Sequence, residues 1–340
     1  ATPHRGKSDH FRRVLKLIDA DAFPGDGMPS IEEIEPYVMR SEKRYAVDYD
    51  GKKLFQQRMT IRLDVPLDET YHRLQIDLYN HVTNYVRYCF GRAKRGNRNA
   101  TGLVMVMMQK LASSSTAAIL AAMETRLWRL QHGETDDDID DYDEEGVVDF
   151  DDLDTNDFSV AMQDNGFFNE ETALQKLIVE ARTCLETEQD AKATALVRKI
   201  YKLQDKYNNS QLKVLVFTEF RKTQGYLKKI LEGAGLTTVE IHGSMDLAER
   251  QQALVKFKNE ANVMVATDAA GGSLEMKVWE NGFNYDFPLH PIAIEKSRRG
   301  VDRIGERFSG DAFNMWGINT GETRVYEIFV GEFDAIMQEM

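Results

Sequence analysis

Residues able to meet phosphate cluster where short apolar runs end. Lys213-Val214-Leu215-Val216-Phe217-Thr218 is followed by Glu219, Phe220, Arg221 and Lys222. The two basic residues open a helical pattern on the carboxyl side of a strand, a position suited to a phosphate contact. Val239-Glu240-Ile241 runs into His242-Gly243-Ser244, and a second helical pattern opens after Asp246. Its first N–H groups make a further candidate phosphate site. Val263-Met264-Val265-Ala266 ends in Thr267-Asp268-Ala269-Ala270-Gly271, small and polar. Further on, Arg298, Arg299 and Arg303 surround Asp302, which on residue types alone is also the pattern of an ordinary basic helix face.

Other combinations carry less. Gly6-Lys7-Ser8 mimics the end of a phosphate loop, but it lacks the earlier glycine and the hydrophobic strand that such a loop follows, and is better read as a loop entering a helix cap. A Ser–Lys dyad from Lys110 and Ser113–Ser115 has no histidine or acid placed to complete it. Cys89 and Cys184 are far apart and lack metal-ligand spacing, so neither a zinc ribbon nor a disulfide framework is expected, and a reducing cytoplasm is the default.

The elements positioning these residues are three apolar runs, each followed by a charged amphipathic helix. That is the rhythm of a doubly wound α/β lobe, whose ligands gather at the carboxyl ends of a parallel sheet. Upstream the pattern is helical. Ser8–Asp19 places Phe11, Val14, Leu15 and Ile18 on one face, with Ser8 as its cap. Alternating segments at 44–50 and 60–65 flank Asp50-Gly51, which predicts a hairpin. Helices are expected over His72–Cys89 and Thr101–Leu130, and from about Glu170 to about Tyr207.

With 340 residues the chain has room for two domains. The net charge of −13 sits uneasily with a nucleic-acid partner until it is located. Glu134–Asp157 holds fourteen acidic and no basic residues; outside it the chain has 43 basic against 42 acidic residues. Residues 1–131 carry a net +6, from 21 Lys and Arg against 15 Asp and Glu. The acidic run predicts a solvated insert, and the overall charge says little about the binding surface. No run of eighteen apolar residues occurs, so no membrane partner is expected.

At the strand ends the chain resembles the second RecA-like lobe of superfamily 2 helicases, in particular the Snf-type double-stranded DNA translocases. Residues 213–221 match motif IV, and Ile241-His242-Gly243-Ser244 the next family element. Thr267–Gly271 matches motif V, and Asn284-Tyr285-Asp286 with Pro288 the strand and turn beyond it. Ala1-Thr2-Pro3 with Arg5-Gly6-Lys7 resembles the end of motif III, which implies that the Walker A loop and the acidic magnesium motif lie upstream. Residues 66–205, with Gln109-Lys110-Leu111 and Ser113–Thr116, resemble the helical protrusions of bacterial members, of the HepA-like and DISARM phage-defence branches.

The resemblance implies ATP and Mg2+ as cofactors, held mainly by the upstream ATPase lobe, and double-stranded DNA as partner, with other defence-system or transcription proteins beside it. It places Arg221, Lys222, His242, Gly243, Thr267 and Asp268 on the DNA backbone, and Gly271, Asp302 and Arg303 on the nucleotide. Arg303 and Arg299 become the arginine fingers that neutralise the transferring γ-phosphoryl group. Two motifs depart from the pattern. Gly271-Gly272-Ser273-Leu274-Glu275 replaces the usual Gly-Glu-Gly-Leu-Asn, and Gly300 stands where the first arginine belongs, with Arg299 one place early. On a helix that turns the side chain by about 100°. Either Arg299 reaches from a distorted helix start, or the site is impaired, or the sequence is imperfect there.

The expected fold is therefore an α/β RecA-like doubly wound parallel sheet with an inserted helical protrusion. Its domains are the end of the first lobe with a connector at 1–65, a helical region at 66–205 carrying the acidic insert 134–157, and the second lobe at 206–340. The competing reading is a non-catalytic interaction module that keeps the lobe's fold.

Overall fold

The computed structural model describes residues 8–24, 29–37, 46–51, 60–95, 99–132, 169–267, 281–286 and 311–318. The chain divides into two units, residues 1–57 with 290–309, and residues 58–289 with 310–340.

In the smaller unit, helix α1 spans Ser8–Ile18 and the short α2 spans Ile31–Ile34. Leu15 is buried as its spacing predicts, whereas Ile18 is 56% exposed. The helix ends at Ile18, where the Asp19 carboxylate accepts the N–H groups of Asp21 and Ala22, a local turn that competes with another helical turn. The same carboxylate accepts the Tyr37 hydroxyl, and Phe23 packs edge-on against the Tyr37 ring.

The larger unit begins with β1 (Thr60–Pro66). A helical layer follows: α3 (Arg73–Arg95), α4 (Asn99–Ser114), α5 (Thr116–His132) and α6 (Glu170–Thr187). Then come α7 (Ala191–Tyr207), β2 (Val214–Thr218), α8 (Arg221–Gly233), β3 (Thr238–Ile241), α9 (Leu247–Asn259), β4 (Val263–Thr267), β5 (Asn281–Asn284) and β6 (Ala312–Ile318). The six strands form one sheet in the order β1-β6-β5-β2-β4-β3, and every pairing is parallel. This is the RecA-like doubly wound parallel sheet that the strand-helix rhythm of the sequence predicts.

Central strands buried on both faces need continuous apolar runs, and Val214–Phe217 and Val263–Ala266 supply them. Helix α7 lays Leu196, Ile200 and Leu203 on this core, and α8 adds Leu227 and Leu231, both at helical spacing. Each such side chain withdrawn from water contributes about 1.5–3 kcal/mol. Helix α8 ends at Gly233, and Gly235, just past the cap, has a φ of +82° that turns the chain so that Leu236 N–H reaches the Leu231 carbonyl. The helical layer has its own core, built on Leu78, Val82, Met108, Ile119, Met123, Leu174 and Ile178.

Two local expectations change and one gains a partner. A turn forms at Asp48–Gly51, with Gly51 at φ +77°, and Thr60–Pro66 pairs in parallel with Ala312–Ile318, while residues 38–45 and 52–59 of the expected hairpin lie outside the described residues. The single helix expected over Thr101–Leu130 breaks at Ser115, whose Oγ accepts the Ala118 N–H and so caps a new helix. The helical run from Glu170 breaks at 188–190, where side chains cap three helix starts that are remote in sequence. Glu188 accepts the N–H groups of Leu74 and Gln75 in α3; Asp190 accepts that of Thr116 in α5; Gln75 Oε1 accepts that of Ala191 in α7. The acidic run 134–157 lies outside the described residues. Among those described, no helix is long and apolar enough to cross a membrane.

Candidate nucleic-acid interface

A parallel sheet exposes all its strand ends on one edge, and four converge here. In register, Thr218 ends β2 beside Thr267 at the end of β4. Ile241 ends β3 and leads to His242; Asn284 ends β5 and leads to Tyr285 and Asp286. The β3 and β4 ends are tied by Gln224 of α8, whose buried amide donates to the carbonyls of Ile241 and Val265, each at 2.9 Å.

Asp286 organises the β2 exit. Its Oδ2 accepts the Thr218 hydroxyl and, at 3.0 Å, the Glu219 N–H. Its Oδ1 lies 3.8 Å from Lys192 Nζ, with both side chains buried. The same ammonium donates to the Ser113 carbonyl and sits 4.8 Å from the centre of the Tyr285 ring. One carboxylate oxygen thus takes both hydrogen bonds while the other, buried, faces only the ammonium charge, and together they tie down the turn that leads to Arg221.

Arg221 and Lys222 open α8 as exposed side chains. Arg221 Nη1 donates to His242 Nδ1 at 3.0 Å and also to Ser244 Oγ. A guanidinium only donates, so His242 Nδ1 carries no proton in this contact. Burial and the neighbouring Arg221 charge hold the His242 imidazole below its usual pKa of 6.5. Gly243 is part-buried, and its carbonyl accepts Arg250 Nη2 at 2.6 Å, while Arg250 Nε donates to the Met245 carbonyl. Arg250 therefore clamps the 243–245 loop.

One expected feature is corrected. The start of α9 is not an open phosphate site, because Asp246 accepts the Glu249 N–H and Glu249 returns a carboxylate oxygen to the Asp246 N–H. This reciprocal cap takes up the Asp246 and Glu249 N–H groups and puts two negative charges where an anion would sit. The sequence carried the signal, an Asp followed three residues later by a Glu.

The structure thus brings Arg221, Lys222, His242 and Gly243 to the edge where β2 and β3 end. It buries Thr267, 5% exposed, at the end of β4 beside Thr218. Asp268, Gly271, Arg299, Asp302 and Arg303 lie outside the described residues. Sequence reasoning gave no role to Asp286, Lys192, Gln224 or Ser244, although Asp286 and Ser244 fall in segments it matched to the family. Gln224 left a local trace, as a polar residue beside Thr223 on the apolar face of α8.

Comparison with known proteins narrows what this edge belongs to. Residues 192–305 match the helicase conserved C-terminal domain family. In fold, that span is a RecA-like α/β lobe. The chain is 28% identical over 162 residues to an uncharacterized ATP-dependent helicase, YqhH, of Bacillus subtilis (strain 168), an alignment covering 45% of this chain and 28% of that protein. It is 34% identical over 117 residues to the DEAD-box ATP-dependent RNA helicase 35B of Oryza sativa subsp. japonica, covering 34% of this chain and 18% of that one. The chain therefore spans less than a third of the length of either curated relative. Among solved structures, the helicase domain of Pyrococcus furiosus Hef superposes with a TM-score of 0.54 at 16% identity, over 82% of this chain and 59% of that one, a likeness of fold. The matched span begins within α7, the helix that lays Leu196, Ile200 and Leu203 on the sheet.

Proposed function

We propose that this chain is the C-terminal part of an ATP-dependent motor that moves on double-stranded DNA. One observation carries the reading: exposed Arg221 and Lys222 stand beside His242 at the carboxyl edge of a parallel sheet, inside the span that matches the helicase domain. Arg221, Lys222, His242 and Gly243, with Thr267 and Asp268 at the end of β4, follow the phosphate backbone, so binding is sequence-tolerant and salt-sensitive. ATP and Mg2+ are held mainly by an upstream lobe. From this chain Gly271, Asp302 and Arg303 approach the nucleotide, and Arg303 and Arg299 supply positive charge to the γ-phosphate. Closure of the two lobes around ATP then alternates the grip on the backbone. The pathway follows the family resemblance, phage defence or polymerase recycling, in the cytoplasm.

A second reading is favoured by a specific observation, the 34% identity to a DEAD-box RNA helicase, and makes RNA the track. A non-catalytic module that keeps the lobe is the third. All three separate in one experiment on the full-length protein, ATP turnover measured without nucleic acid, with duplex DNA and with RNA. Stimulation by duplex DNA, lost by roughly 10³-fold in Arg303→Ala with nucleotide binding kept, is the expected result. Stimulation by RNA alone selects the second reading, and absence of turnover under every condition selects the third.

A further inference from the structure

Residues 218–223 form the turn from β2 into α8, and nearly every residue in it is tied down. Thr218 and Glu219 N–H are held by Asp286, from the β5 side. The other anchors come from the helical layer. Lys110 of α4 forms an ion pair with the Glu219 carboxylate, with side chains 16% and 19% exposed, and its Nζ lies 5.8 Å from the centre of the Phe220 ring. Phe220 itself packs against the helical-layer core. Ser114 Oγ and Ser115 Oγ, at the break between α4 and α5, meet the fully buried Thr223 hydroxyl at 2.7 and 2.8 Å. Arg221 and Lys222 are the exposed residues between these anchors.

Such an arrangement costs more than a simple apolar contact would. A half-buried ion pair and three hydroxyls in one joint are stable only when their geometry is kept, so the joint transmits position, not merely adhesion. The Ser115 hydroxyl also accepts the Ala118 N–H, which couples the start of α5 to the start of α8. A displacement of α4 or α5 therefore moves the residues that flank Arg221.

We propose that Lys110, together with Ser114 and Ser115, is a positioning element for the nucleic-acid contact made by Arg221 and Lys222, so that the helical layer sets how the lobe grips the phosphate backbone. Lys110 and the two serines do not touch the nucleic acid; they act through Glu219, Phe220 and Thr223. This inference rests on the proposed backbone contact of Arg221.

The test measures binding of the full-length protein to a fluorescein-labelled DNA duplex across a salt series, with the thermal midpoint of each variant alongside. Lys110→Met is expected to weaken binding by roughly tenfold and to lower the salt slope by about one, the signature of a lost phosphate contact. Lys110→Arg is expected to restore both, since it keeps the charge opposite Glu219. Arg221→Ala added to Lys110→Met is expected to cost much less than Arg221→Ala alone, because the contact is already displaced. Ser115→Ala, a smaller change at the same joint, guards against loss of folding in Lys110→Met and is expected to lower the affinity in the same direction with the thermal midpoint kept within a few degrees. If Arg221→Ala weakens binding while Lys110→Met and Ser115→Ala bind as the unmodified protein does, the positioning role is overturned and the backbone contact stands. If Lys110→Met and Arg221→Ala add in full, the two act independently and the role is likewise overturned. If Arg221→Ala leaves affinity and salt slope unchanged, the backbone contact itself fails.

Discussion

The Asp190 carboxylate accepts both donors of Thr116, a residue 74 positions earlier: the backbone N–H at 2.8 Å and the hydroxyl at 2.5 Å. Asp190 stands at the start of α7 yet gives its own helix no side-chain cap; it caps α5 instead. Its backbone N–H donates to Tyr226 Oη of α8, so one buried residue joins the helical layer to the RecA-like lobe. Asp190→Ala removes a charge-assisted cap and leaves two buried donors unmet, a loss of about 2–4 kcal/mol. Asp190→Asn, whose amide oxygen still accepts one donor, is expected to lose less. Urea denaturation of the three proteins checks the order, and equal stability of Asp190→Ala and the unmodified protein would falsify it.

The same carboxyl has a pH signature. Burial raises its pKa above 3.8, and the Thr116 hydrogen bonds only partly oppose this. A raised carboxyl pKa means that the folded protein binds more protons than the unfolded chain in the window above 3.8. Stability contributed by this group therefore falls as pH rises through that window, and is largest below it. Subtracting the thermal midpoints of Asp190→Asn from those of the unmodified protein across pH should give a curve that declines with rising pH. A flat or rising difference curve would show that Asp190 is ionised at no cost.

A buried pair offers a sharper case. Lys192 Nζ lies 3.8 Å from Asp286 Oδ1, and Asp286 also holds the Thr218 hydroxyl and the Glu219 N–H. Lys192→Met keeps the stem volume and removes the ammonium, which strands a buried carboxylate at a cost of about 3 kcal/mol or more. The double change Lys192→Met with Asp286→Asn should recover part of that loss, because the stranded charge goes with it. Denaturation midpoints of the double variant and of each single one decide this; a double variant that loses more than the two single losses together would mean that the pair acts through hydrogen bonds, not charge.

Much of this architecture was legible in the sequence because strand burial is local information. Val214–Phe217 and Val263–Ala266 are apolar throughout, and only a sheet covered on both faces requires that. The site's edge followed from it, since parallel strands end together. What stayed hidden depends on partners distant in the chain. Thr60–Pro66 alternates like a hairpin strand, and nothing near it announces Ala312–Ile318 as its neighbour. The break at Ser115 hides in an Ala- and Met-rich run whose helical period continues across it; its cap is a local signal, but the Asp190 carboxylate that completes it is not. Asp286 and Lys192 are ordinary in sequence and become a pair only when β5 and α7 meet.

Arg221 and His242 provide the last prediction, which reads a charge directly at the candidate interface. His242 is held below its usual pKa first by burial and second by the Arg221 guanidinium 3.0 Å away. A lowered histidine pKa means that the unfolded chain takes up the proton first as pH falls below 6.5, so the contribution of this group to stability is present above 6.5 and declines below it. In NMR titrations of the His242 imidazole, the midpoint should lie below 6.5. Arg221→Ala should raise it, while burial, the larger cause, continues to lower it. The charges of Glu240, Glu249 and Arg250 also reach this ring, so Arg250→Ala should raise the midpoint as well, by less than Arg221→Ala does. A midpoint that does not move in Arg221→Ala would show that the guanidinium points elsewhere in solution, and would remove the Arg221–His242 contact from the interface.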